Sequence, residues 1–185
     1  MTRYYTVAAI GKDQIGIVAE VTRALFDVGS LILDSTNSIL GGQFAMMLLV
    51  STTDRVFRAS IVSALRPVAA QFDLTAEVKE IAAEDVSAKA APGRIYSLSV
   101  YGNKRPDMVY RVAQGIRDRG WNILGLSSGI KWAGQQEHGV MDIRVQVQDE
   151  RRDVQSVMDS LLALERELGI HVQVLNEALV ATTGS

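Results

Sequence analysis

The chain has 185 residues, enough for one medium domain or two small ones. Its 19 Lys+Arg against 21 Asp+Glu give a formal net charge of -2, which lacks the basic footprint of a protein that grips nucleic acid by its phosphates. The absence of cysteine excludes disulfides, thiolate metal sites, iron–sulfur clusters and a cysteine nucleophile, and two histidines, His138 and His171, leave little material for a His-based metal site or a Ser-His triad.

In chain order, the segment from Arg3 to Ile10 is rich in β-branched and aromatic residues and predicts a strand. Residues from Gly11 to Gly16 read as a turn. Ile17, Val18, Val21, Leu25 and Val28 share one helical face, predicting a helix over 17–28 that Gly29 closes. Leu31 to Leu40 and Gln43 to Ser51 predict two strands joined at Gly41-Gly42, with Met46 and Met47 as core or edge filler. Thr53 or Asp54 is the expected N-cap of a second helix running to about Phe72. Leu74, Ala76 and Val78 then alternate as a closing strand. The order β-α-β-β-α-β is the ferredoxin-like plan. The longest apolar stretch, Phe44 to Val50, is far shorter than the ~20 residues of a membrane helix. The opening Met1-Thr-Arg-Tyr-Tyr does not read as a signal peptide, so a cytoplasmic protein without membrane contact is expected.

The chain then repeats itself. A shift of 91 aligns Tyr5 with Tyr96, Gly11 with Gly102, Val21 with Val112, Gly29 with Gly120 and Ile39 with Ile130. After the next turn the shift becomes 96, and Ile61 meets Val157, Leu65 meets Leu161 and Phe72 meets Leu168. The five added residues fall mainly at Lys131 to Gly139, where the first copy has its tight Gly41-Gly42. The expected organisation is a first domain over 1–81, an Ala-rich linker over 82–93, a second domain over 94–178 and a tail over 179–185. The fold class is α+β, with two tandem βαββαβ units, antiparallel sheets and helices on one face. Each unit leaves a sheet face or edge in need of cover, so packing of the copies or a homo-oligomer is expected.

The chemistry gathers where the first strand meets the first helix, at Gly11, Lys12, Asp13, Gln14, Ile15, Gly16, Ile17 and Val18. A helix N-terminus offers unpaired N–H groups and a positive dipole end to a carboxylate or phosphate, and Gly16 permits close approach. Asp13 either accepts hydrogen bonds from an ammonium group or caps the helix. The segment is neither a Walker A loop nor a GxGxxG fingerprint. In the second copy Asn103, Lys104 and Arg105 either hold an anion or form a solvated loop, and Pro106 suits a first helical turn. Asn122 either turns its amide to a ligand or closes a turn. Trp132 either anchors an interface or covers a sheet edge. His138 and His171 read as polar surface. No nucleophile, base and oxyanion hole come together, so an enzyme is not expected, and neither is a metal or cofactor.

Gly11-Lys-Asp-Gln-Ile-Gly-Ile-Val-Ala-Glu-Val-Thr, with Asp34-Ser35 and the strand Gly42-Gln43-Phe44 to Leu48-Leu49-Val50-Ser51, resembles an ACT domain. The tandem arrangement resembles the glycine cleavage system transcriptional repressor group. The motif is fairly specific in the first copy; the second echoes it only at Gly102, Pro106, Gly120 and Asn122-Ile123. The resemblance implies a non-enzymatic sensor of a small amino acid, glycine or similar, that regulates through contact with a transcription factor and not by direct DNA binding. It implies a site between the strand1–helix1 loop of one domain and the start of strand 2 in its neighbour. Ile15 stands where many ACT domains have Pro, and Leu31 where they have Asn. Asn122 keeps that amide in the second copy, which has Lys104 in place of Asp13. One ligand site, the loop 11–18 with Asn122, is therefore expected. The alternatives are a ligand-free dimerisation module and a detached regulatory subunit of an amino-acid-metabolic enzyme.

Overall fold

The computed structural model describes residues 2–87, 93–134, 136–147 and 154–179. The chain divides into two compact units, residues 1–88 and 89–185. The first contains β1 (Thr2–Lys12), α1 (Ile17–Asp27), β2 (Leu31–Leu40), β3 (Gln43–Thr53), α2 (Arg58–Phe72) and β4 (Leu74–Ile81), with a short helix α3 (Ala83–Ser87) after it. The second contains β5 (Arg94–Asn103), α4 (Met108–Asp118), β6 (Asn122–Ala133), β7 (Gln136–Val147), α5 (Val154–Leu168) and β8 (Ile170–Leu179). The α3 helix falls in the stretch expected as a linker, of which residues 88–92 lie outside the described residues, as do 180–185 of the expected tail.

Each unit is a four-stranded antiparallel sheet, in the order β2-β3-β1-β4 and β6-β7-β5-β8. The first-unit core follows from two periodicities. Tyr5, Val7 and Ala9 alternate inward along β1, and Ile17, Val21 and Leu25 recur every four residues along α1. Ile61, Leu65, Val68 and Phe72 supply the matching stripe of α2. Burying such side chains contributes about 1.5–3 kcal/mol each. The second unit repeats the pattern with Tyr96, Leu98, Val100, Val112, Ile116, Val157, Leu161 and Leu164. Of the methionine pair, Met46 joins the core and Met47 is exposed on the opposite sheet face.

Both copies place the same irregularity at the same point. The pairing of β2 with β3 slips between Ile32 and Asp34, and that of β6 with β7 between Ile123 and Gly125. A bulge of this kind bends an edge strand. Two helix starts differ from the sequence expectation. Thr53 and Asp54 do not cap α2: a turn intervenes, closed by Val56 N–H to Thr53 O at 3.1 Å, and the extended Phe57 precedes the helix without a side-chain cap. The alternation of β3 continues to Thr53 and takes the presumed cap residue into the strand. Pro106 likewise lies ahead of α4, whose N-cap is Asp107.

Candidate functional site

The sheet register determines which loops share an end of the first unit. Gly11 of β1 lies opposite Phe44 of β3, and Phe44 lies opposite Ile39 of β2. The β1–α1 loop therefore stands beside the β2–β3 turn. Between them opens a cleft of about 730 Å³. Asp13, Gln14 and Gly16 with the first turn of α1 form one side, Asn37, Ser38 and Ile39 of β2 the other, and the nearly buried Phe44 lies between.

The loop is held in shape from two directions. Asp13 N–H donates to Gly42 O at 2.9 Å, tying the loop to the β2–β3 turn. Gln14 Nε2–H donates to Phe72 O at 3.0 Å, tying it to the end of α2. Gly16 occupies φ 101°, ψ -12°, a conformation open to glycine and costly for other residues, and serves as N-cap without a side chain. Its carbonyl accepts from Glu20 N–H at 3.0 Å, so α1 starts at once. The N–H groups of Ile17, Val18 and Ala19 come before the first intrahelical donor, Glu20 N–H, and have no capping side chain. Among the described residues, no hydrogen bond or ion pair engages the Asp13 carboxylate. The cleft thus combines a free carboxylate, the positive end of a helix, an amide and an apolar floor, and no lysine or arginine lines it.

Of the loop residues expected to bind, Asp13, Gln14, Gly16, Ile17 and Val18 line the cleft, whereas Gly11, Lys12 and Ile15 do not. Asp13 is not the helix cap, because the Gly16 turn separates it from α1 by three residues. Gln14 lines the wall while its amide N–H is held by Phe72. Gly11 has a packing role, since a Cβ there would meet Asp73 O at 2.8 Å and Leu74 Cδ2 at 2.7 Å. Ile15 is fully exposed. Asn122 lies exposed at the start of β6 in the second unit. Asn37, Ser38, Ile39 and Phe44 were not expected. The signal for them was the hairpin turn at Gly41-Gly42, which the βαββαβ plan returns to the end of the first strand.

The second unit has a counterpart at equivalent positions. Lys104, Met108 and Val109 correspond to Asp13, Ile17 and Val18, and Ser128, Gly129 and Ile130 to Asn37, Ser38 and Ile39. This cleft measures about 200 Å³. The anion-holding reading of its loop meets two ion pairs: Lys104 Nζ with Glu137 Oε2, and Arg105 with Asp107, at 3.0 and 2.9 Å. Arg105 holds the Asp107 carboxyl below its usual range, mainly through these hydrogen bonds. His171 Nδ1 lies 2.8 Å from Glu165, and His138 stacks on Tyr101 with ring centroids 4.6 Å apart. Among the described residues no three His, Asp or Glu side chains gather as a metal site, and no helix is long and apolar enough to cross a membrane. Trp132 is exposed on β6.

The sequence of the first unit is matched by a family model. The model of the ACT domain covers residues 3–79. The whole chain is similar in structure to an unknown protein from Galdieria sulphuraria, with a TM-score of 0.79 and 25% identity over 97% of this chain and 100% of the other. It also shares its fold with a protein provisionally described as a glycine cleavage system transcriptional repressor, with a TM-score of 0.69 and 20% identity over 97% and 99% of the two chains. In sequence, 53 residues are 38% identical to the UPF0237 protein YjhC of Lactococcus lactis subsp. lactis (strain IL1403), over 29% of this chain and 61% of that protein. The chain thus spans about three-fifths of the curated relative it matches. The architecture is two tandem ferredoxin-like βαββαβ units, the first of them matched by the ACT-domain model. ACT domains are regulatory modules that bind amino-acid effectors and oligomerise.

Proposed function

We propose that this chain is a non-enzymatic amino-acid sensor of the glycine-cleavage-repressor type, which regulates through contact with a transcription factor. The observation that carries the reading is the first ACT domain's cleft, where an unpartnered carboxylate, Asp13, stands beside an uncapped helix start. An α-amino acid brings the complementary pair of charges on one carbon. Its carboxylate takes the N–H groups of Ile17 to Ala19, where Gly16 allows close approach. Its ammonium takes Asp13, with the Asn37 amide, on the same sheet face as Ile39 and Phe44, as a neutral partner. The apolar surface of Val18, Ile39 and Phe44 suits a small side chain or none, which favours glycine and its neighbours in size. Supporting the indirect mode of regulation, the net charge of -2 is ill suited to gripping operator DNA.

The test is a thermal-shift screen of the twenty amino acids on the full chain. An effector at about 100 times its dissociation constant stabilises by ~2.7 kcal/mol, and the same effector at the same concentration should protect the Asp13→Asn variant by only about 0.3–1.4 kcal/mol. Uniform failure of all twenty to protect the unaltered chain would leave the fold as a scaffold without a ligand. Identification of a transcription factor that co-purifies only in the presence or absence of the effector tests the second half of the reading.

A further inference from the structure

The two clefts differ in a way that answers a question left by the sensor reading, namely how many effectors one chain holds. In the first unit the aromatic filler comes from the sheet: Phe44 lies opposite Gly11 and Ile39, and the helix contributes the shorter Ile17. In the second unit the sheet position opposite Gly102 and Ile130 is Gly139. The helix fills the space instead, through Met108, which is 7% exposed. A Cβ on Gly139 would come within 2.5 Å of Met108 Sδ. The residue at the Asp13 position is Lys104, and the longer β6–β7 hairpin brings Glu137 against it as an ion pair. Glu137 pairs with Trp132 in the strand extension that the first copy lacks, so the added hairpin residues supply the carboxylate. The remaining space is about 200 Å³ against about 730 Å³.

We infer that Met108 narrows the second unit's cleft and Glu137 occupies the cation Lys104, so that the chain takes one amino-acid effector and the second unit takes none. This rests on the proposed sensor function and sets its stoichiometry. Met108 fills the apolar part of the cleft. Glu137 gives Lys104 the carboxylate partner that an effector would otherwise have to provide, and an ammonium group finds a cation where the first unit offers an anion.

Two measurements test it on the full chain. The first needs no ligand: a urea-unfolding cycle of Gly139→Ala and Met108→Ala. Gly139→Ala should lower the midpoint when Met108 is present and lose most of that effect in the Met108→Ala background. Equal effects in both backgrounds would show that Met108 does not fill the cleft and overturn the inference. The second is titration calorimetry with each of the twenty amino acids in turn. One equivalent per chain is expected for the unaltered protein, none for Asp13→Lys, and a second, weaker event for Met108→Ala combined with Glu137→Gln. Two equivalents from the unaltered chain, or one equivalent unchanged in the folded opened variant, would overturn the inference. Absence of heat from all twenty with the unaltered chain would overturn the sensor reading instead, and the unfolding cycle would still decide whether Met108 narrows the cleft.

Discussion

Replacing Asp13 by asparagine removes one charge and keeps the shape of the side chain. The structure separates the two effects this change can have. Among the described residues nothing engages the carboxylate, and Gly16, not Asp13, is the N-cap of α1. Its stabilising effect on the fold is then confined to favourable interaction with the helix dipole, about 0.3–1 kcal/mol at an exposed site. For a domain of this size that lowers Tm by no more than about 4–8 °C. A hydrogen bond between the carboxylate and an effector ammonium contributes roughly 1.5–3 kcal/mol, so its loss weakens binding by about 10- to 150-fold. Calorimetry with the amino acid found by the screen, paired with urea unfolding of the ligand-free chain, measures both. The expected outcome for Asp13→Asn is a large loss of affinity with a small loss of stability. Unchanged affinity with a loss of stability well above 1 kcal/mol would refute the reasoning, and would return Asp13 to a role in supporting its helix.

Gly16→Ala should cost at least about 1–2 kcal/mol in urea unfolding, because φ 101° is strained for any residue with a Cβ; Phe72 Cζ, 3.6 Å from that Cβ, adds only ordinary contact. A loss below a few tenths of a kcal/mol would contradict the loop geometry. Pro67→Ala should raise stability by about 1–2 kcal/mol, since Pro67 is exposed inside α2 and lacks a backbone N–H, a gain reduced by the freer unfolded chain. A lowered urea midpoint for this variant would show that α2 needs the proline. For Asp107 the pKa is depressed in the folded state, chiefly by Arg105, so the contribution is present above the unfolded pKa and is lost as pH falls through the folded one. Carboxyl-detected NMR should therefore find the Asp107 titration moved upward in Arg105→Ala, and an unmoved titration would contradict the pairing.

The fold was legible because both of its periodicities are clean. Tyr5, Val7 and Ala9 declare a strand and Ile17, Val21 and Leu25 a helix, and the repetition of both after 91 residues doubles the signal. The helix starts were less legible. Thr53 and Asp54 are good caps by composition, but the hydrogen bonds of β3 claim Thr53 before a helix can. At Asp13 the same preference misleads for a different reason: the left-handed Gly16 starts the helix three residues later and leaves the carboxylate free. Half of the cleft was invisible for lack of periodicity. Asn37 and Ser38 lie on an edge strand exposed along most of its length, where alternation carries no information about what the side chains face. Their place beside Asp13 follows only once the hairpin register is known, through the pairing of Ile39 with Phe44 and of Phe44 with Gly11.

The two copies also act as a natural control on which residues the fold itself needs. Gly11 and Gly102 both sit where a following strand passes close, so that a Cβ would clash with Leu74 in one unit and crowd Ile170 in the other. Tyr5 and Tyr96 are both fully buried, and both edge strands bulge one residue after an isoleucine. Those features recur because packing demands them in either copy. Three cleft residues do not recur, although Val18 and Ile39 do as Val109 and Ile130: Asp13 faces Lys104 in the alignment, Gly16 faces Asp107, and Phe44 faces Gly139. Asp13 therefore answers to no packing demand common to both copies, whereas Gly16 is tied to the left-handed turn of its own loop, which the Asp107 start of the second copy does not share. On the proposed sensor reading, the ammonium and carboxylate of one effector are what the Asp13 carboxylate and the helix start beside it would meet.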